Sequence, residues 1–192
     1  MAVKRDAQAT RARILAAATT EFAAYGIAGA RVDRIATASA ANKNMIYIYF
    51  GSKEQLFDVV FAAAIDELLD TVAIEVQDLP GYAGAMFDHM ERRPELSRLA
   101  RWHGLERPGG IQQLEQAMAG TVHKIETVAK AQQDGLISAA MTPDQVVSMV
   151  ISVASTWSAG SPEVADDTPP AELRASRRAA VVLAVGRITA PP

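Results

Sequence analysis

The 192-residue chain contains no cysteine. Disulfide frameworks, thiolate nucleophiles and cysteine metal sites are therefore excluded, and the absence agrees with a reducing compartment. Long apolar runs are missing as well: no uncharged apolar stretch reaches the 18 residues that suggest a membrane helix. The first residues, MAVKRDAQAT, lack the apolar core of a secretion signal. A cytoplasmic protein with no membrane partner is the expectation. Histidine is scarce, with only 3 present, and His89, His103 and His123 form no His-x-x-x-His pair. A metal site built on them is not favoured, and no cofactor is expected. No nucleophile, base and orienting group fall into a recognisable constellation, so no catalytic residue is assigned.

What is present is an ordinary globular balance, 49% apolar and 21% charged. The length suits one compact unit or two small subdomains with a buried core. The net charge of −3 argues against a polyanion partner for the chain as a whole. Its distribution does not. Residues 1–58 carry eight Lys/Arg against five Asp/Glu, and the remainder carries 11 against 17. A basic head on an acidic body points to a polyanion partner for the head alone.

Helical periodicity runs through most of the chain. Ile14, Leu15, Ala18 and Phe22 recur at helical spacing over residues 10–25, and Gly26 suits a left-handed cap. A short helix is expected over 32–39 with Ile35 and Ala36 inward, followed by a tight turn at 40–42. Ser52 and Gln55 form a capping box for a long helix reaching about Asp78, where Pro80-Gly81 breaks it. Further helices are expected over 82–92, 94–106, 111–134 (capped by Gly135), 143–160 and 171–189, with loops at 108–110 and 161–170. The reading is all-α, with about nine helices and no convincing strand.

One segment resists it. Met45–Phe50, MIYIYF, is strand-like in composition. Placed on a helix over 43–50, however, Ile46, Phe50 and partly Tyr49 share one face, while Lys43, Asn44 and Tyr47 share the other. Two short helices joined by a tight turn near a basic N-terminus suggest a helix-turn-helix, whose second helix enters the DNA major groove.

These residues also carry a family resemblance. Arg11, Ile14, Leu15, Ala17, Ala18, Phe22 and Gly26, then Ile35 and Ala36, then Ile46, Tyr47, Phe50, Ser52, Lys53, Glu54, Leu56 and Phe57 resemble the DNA-binding domain of the TetR-type transcriptional repressors. The resemblance covers about residues 10–58. It implies a DNA-binding domain over 1–58 and a ligand-binding and dimerisation domain over 59–192. Lys43, Asn44 and Met45 then fall where base-edge contacts arise. Tyr47, Tyr49 and Lys53 fall where phosphates are held, as do Arg31 and Val32; Arg34 is a better contact than Asp33. Family members often carry Gly or Pro at the position of Asn44, Thr at that of Met45, and a Ser or Thr cap at that of Arg31. These departures bear on the operator sequence rather than on the binding mode, since Asn can pair with adenine and Met can touch a thymine methyl.

The resemblance also implies the partners: double-stranded DNA with a palindromic operator, and a homodimer through the last two helices, about 143–160 and 171–189. Ser148, Ser152, Ala154, Ser155 and Ala159 on the first, with Ala175, Ala179, Ala180, Leu183 and Gly186 on the second, allow close packing. Met86, Met90, Trp102, His103, Met149 and Trp157 have the character of a cavity lining for an unknown small apolar or amphipathic ligand, although core packing uses the same residue types. The expected function is a homodimeric DNA-binding repressor released by that ligand. The rivals are an enzyme using His103 with Glu106 or Asp88 in a helical cavity, and a dimer that binds DNA without any ligand.

Overall fold

The computed structural model describes residues 2–107, 115–159 and 169–191, with side chains described from residue 6 and, in the second stretch, from residue 118. The expected loop at 108–110, the start of the helix at 111 and most of the loop at 161–170 lie outside these residues. The described residues are all-helical, without a strand.

Helix α1 (Ala2–Gly29) begins well before residue 10 and bends at Gly26, whose φ of 67° and ψ of −172° are non-helical. The expected cap is thus a kink, and one further turn follows it. Helices α2 (Val32–Ser39), α3 (Lys43–Phe50) and α4 (Lys53–Thr71) close around α1. Their shared core holds Ile14, Phe22, Ile35, Ile46 and Phe57. The strand-like hexamer is helical because Ile46 and Phe50 are buried in that core, which overrides a weak local preference. Asn42 starts α3 by accepting the Asn44 N–H at 2.8 Å, and Ser52 starts α4 by accepting the Gln55 N–H at 3.1 Å.

The chain then departs from expectation. Helix α4 stops at Thr71, short of Asp78. Beyond it Val72, Ile74 and Val76 are β-branched and turn into a second core. A 3₁₀ turn over Val76–Asp78 leads into α5 (Leu79–Arg92). Pro80 lies in the first turn of α5, where a missing N–H costs nothing, and Asp78 caps that turn through the Gly81 N–H at 2.8 Å. Pro80-Gly81 therefore opens a helix whose expected start is Tyr82.

Helices α6 (Pro94–Glu106), α7 (Glu115–Gln133), α8 (Pro143–Ala154) and α9 (Ala171–Thr189) complete the described chain. Helix α8 gives way to turns after Ala154, before the expected end near Gly160. The second core gathers Met86 and Phe87 of α5, Val128 of α7, Val150 of α8, and Val181 and Val185 of α9. Helix α6 divides its loyalty: Leu96 and Leu99 join the first core, which also extends along α4 to Ile65. No described helix is long and apolar enough to cross a membrane.

Candidate nucleic-acid interface and ligand cavity

Helix α3 separates its residues cleanly. Lys43, Asn44 and Tyr47 are exposed, Tyr47 at 42%, while Met45 and Tyr49 are half-buried and Ile46 and Phe50 are sealed. The Tyr49 ring meets Phe50 edge-on at 6.2 Å, and the Arg11 guanidinium lies 5.2 Å from the Phe50 centroid. Val32 is buried; Arg31 and Arg34 are exposed.

The cations around this face are held in place. Lys43 pairs with Asp33 at 2.8 Å, a bond that lowers the carboxyl's pKa and raises the ammonium's. Lys53 Nζ donates to the Ala30 and Ala28 carbonyls at 3.3 and 3.4 Å. Arg34 donates to Glu21 (2.8 Å from Nε) and to the Gly29 carbonyl (3.0 Å), and lies over the Tyr25 ring. Glu21 also accepts the Arg31 N–H at 2.8 Å. Arg31 gives α2 no side-chain cap, so the buried Glu21 carboxylate serves the helix start in its place. Burial pushes the Glu21 carboxyl up, but the bonds from Arg34 and Arg31 outweigh it and the net shift is downward.

Sequence reasoning passes over two of these residues. Glu21 sits seven positions after Ile14, on the apolar stripe of α1, and an acid on that stripe is itself a signal. Ile48 follows Asn44 by one turn and is 78% exposed, an isoleucine turned outward on the exposed face of α3.

The larger half contains a cavity of about 360 Å³. Helix α4 contributes Ile65, Leu68 and Leu69; α5 contributes Met86 and Met90. Leu96, Ser97, Ala100 and Arg101 come from α6, Thr121 and Lys124 from α7, and Ile151, Ser155 and Ser158 from α8 and the turn after it. Of the six residues expected to line a cavity, Met86 and Met90 do so. Trp102 lies on the opposite side of α6, and His103 lies further along the helix against the first core. The Trp102 indole donates to the Ala23 carbonyl at 3.2 Å and covers Gly26. His103 packs against Phe61 at 4.7 Å and Phe57 at 6.2 Å, and burial lowers its pKa. Met149 is exposed, and Trp157 is half-buried with the Arg177 guanidinium 5.8 Å from its ring. Helical geometry explains the exclusion of Trp102, which points about 100° beyond Arg101 and off the arc that Leu96, Ser97, Ala100 and Arg101 share; His103 stays near the Leu96 edge of that arc and is separated from the cavity by its place about two turns further along the axis.

The carboxylates that an enzyme reading pairs with His103 are occupied elsewhere. Glu106 accepts the Ile27 and Ala28 N–H groups at 2.7 and 2.9 Å, beyond the α1 kink. Asp88 accepts from Arg178 at 2.8 Å. Among the described residues no three His, Asp or Glu side chains could hold a metal ion.

Comparison with known proteins matches this layout. Residues 14–60 fit the family model of bacterial regulatory proteins, tetR family, and residues 78–187 fit the Tetracyclin repressor-like C-terminal domain. The chain is 36% identical over 163 residues to the HTH-type transcriptional repressor SCO4008 of Streptomyces coelicolor, covering 83% of each. It is 37% identical over 98 residues to the HTH-type transcriptional repressor NicS of Pseudomonas putida, covering 47% of this chain and 46% of that one. It also superposes on the crystal structure of SCO4942 from Streptomyces coelicolor, described as a transcriptional regulator. The TM-score is 0.81 at 38% identity, covering 95% of this chain and 99% of that one. The families and relatives are regulators rather than enzymes, and the histidine-based enzyme reading falls with that.

Proposed function

The chain belongs to the TetR family of bacterial transcriptional regulators, and from that premise we propose that it is a homodimeric repressor of a palindromic operator, released by a small ligand. The observation that carries this reading is the two-sided build of α3. Ile46 and Phe50 fix the helix to the core, while Lys43, Asn44, Tyr47 and Ile48 face outward. An anchored helix presents its N-terminal side chains to base edges in the major groove without the cost of ordering its backbone. In this assignment Lys43, Asn44 and Met45 contact bases. Arg31, Arg34, Tyr47, Tyr49, Lys53 and the α2 start at Val32 hold phosphates. Lys43 exchanges Asp33 for DNA on binding, while Glu21 and the Ala28 and Ala30 carbonyls aim Arg34 and Lys53.

One helix reads only a few base pairs, and two related by a dyad double the specificity. The outward faces of α8 and α9 support such pairing. Val181 and Val185 are buried within the chain, but Ala179, Ala180 and Leu183 (62% exposed) face away, as do Ser148, Met149 and Ser152. Residues 1–58 act as the DNA-binding domain and 59–192 as the ligand-binding and dimerisation domain, with α4 and α6 reaching from the cavity into the first core. A ligand that favours a wider spacing of the two α3 helices by a few kcal/mol is enough to change occupancy strongly.

The test is a gel shift with genomic fragments at about 0.15 M ionic strength. A specific fragment is expected, bound by two copies; Lys53→Ala lowers the salt slope by about two for the pair, one cation per protomer, and Tyr47→Phe weakens binding to every sequence without changing the slope. Absence of any preferred fragment refutes the repressor reading.

A further inference from the structure

We propose that the cavity takes an organic anion, an apolar body ending in one carboxylate-like group, seated against Lys124. The inference rests on the reading of the cavity as a ligand site and adds the chemical class of the ligand.

The walls set the body. Leu68, Leu69, Met86, Met90 and Ile151 present a continuous apolar surface in a space of about 360 Å³, within the usual range for small-molecule sites. Lys124 sets the charge. It is 8% exposed, and lysine is almost never that buried without a partner. Here its ammonium has no carboxylate partner among the described residues. It lies 6.0 Å from the Tyr82 ring centroid, a weak contact. The Tyr82 hydroxyl is itself buried without a hydrogen bond, and it donates nothing to the amine. The described lining residues include Lys124 and Arg101 but no acid.

A second polar group points the same way. The Ser97 hydroxyl is buried on the cavity wall with no hydrogen-bond partner. A buried donor left unmade is costly, and so is a buried unpaired charge. An oxyanion supplies the partner the ammonium lacks, and it is also the kind of acceptor that a free hydroxyl on the same wall can use. A cation meets two positive groups and no counter-charge. A neutral apolar molecule leaves Lys124 as it was. Burial alone already depresses the Lys124 pKa, and an anion beside it reverses that effect.

The experiment uses matched amphiphiles on the full chain: decanoate, decanol and decylammonium, and naphthoate with its alcohol and amine counterparts. Thermal shift and titration calorimetry are read for the parent and for Lys124→Met, which keeps the side-chain volume. Carboxylates are expected to raise the melting temperature and to bind at least about tenfold tighter than their alcohols, with the amines silent. Lys124→Met is expected to remain folded and to lose that preference. Equal or tighter binding of an alcohol or amine overturns the anion while leaving the ligand site intact. Undiminished carboxylate binding by Lys124→Met overturns Lys124 as its seat. Silence from all members of the panel refutes both this inference and the ligand-site reading on which it rests.

Discussion

Replacing Gly26 with alanine tests the joint between the N-terminal helices and the rest of the chain. Two costs can be worked out separately. The first is conformational: φ 67° with ψ −172° is a region that L side chains essentially do not visit, at about 1–3 kcal/mol. The second is steric. A Cβ built at Gly26 falls 2.7 and 2.8 Å from atoms of the Trp102 ring and 2.6 Å from Glu106 Oε1. Neither neighbour can yield freely. Trp102 holds the Ala23 carbonyl, and Glu106 satisfies the Ile27 and Ala28 N–H groups, so retreat of either exposes unmade hydrogen bonds. Overpacking of this kind adds about 1–3 kcal/mol. Gly26→Ala is therefore expected to lower stability by about 2–6 kcal/mol in urea unfolding followed by circular dichroism. The parts separate in a double-mutant cycle with Trp102→Leu. The smaller side chain relieves the ring clash but not the backbone strain, leaving a favourable coupling of about 1 kcal/mol or more. A loss below about 0.5 kcal/mol, or strict additivity with Trp102→Leu, refutes the reasoning.

Three other outcomes are expected. Glu21→Gln weakens the start of α2 and the Arg34 tie by about 1–3 kcal/mol in the same assay; because the native carboxyl is held below its unfolded value, its contribution is present above about pH 4.5 and fades as pH falls through the lowered value, a fade the variant lacks. Lys124→Met raises stability near neutral pH. The native Lys124 amine is depressed, so the unfolded chain binds the extra proton and parental stability rises as pH approaches the ordinary 10.5; melting curves of the variant show no such rise. Ile48→Ala changes stability by less than about 0.5 kcal/mol, because the side chain is mostly exposed, but costs about 1 kcal/mol on the preferred DNA site and less on random DNA if it touches a thymine methyl; equal loss on both makes it a bystander.

The range of the forces involved decides which features are legible in the sequence. The helix-turn-helix is local. Ile46 and Phe50 fall one turn apart, Ser52 caps the next helix, and the buried stripe of α1 lies within a dozen residues of itself, so periodicity suffices to recover it. The end of α4 is harder to read because apolar spacing persists through Val72 and Val76, while the β-branched character that ends the helix is a weaker signal than the spacing. Pro80 reads as a break because the Asp78 cap that turns it into a helix start depends on a single side-chain bond.

The cavity is half legible for a different reason. Residue type alone finds Met86 and Met90 but misses Lys124 and Ser97, since polar residues on a helix are by default assigned to solvent. Trp102 and His103 fail in the opposite sense: their chemistry suggests a ligand, but their neighbours are 79 residues away in the case of Ala23 and over 40 away in that of Phe57 and Phe61. No pattern within α6 says which of its faces meets α1. That missing contact is what gives α6 its significance. Ser97 and Arg101 border the cavity, while Trp102 and Glu106, within about a turn and a half beyond Arg101, clamp the α1 kink, and Arg107 reaches the α4 backbone at Glu54 and the Asp58 carboxylate. A rigid helix cannot move its cavity face without moving its clamp. Under the proposed ligand release, displacement of Ser97 or Arg101 acts on α1 and α4 together, and the core that positions α3 receives it from two sides.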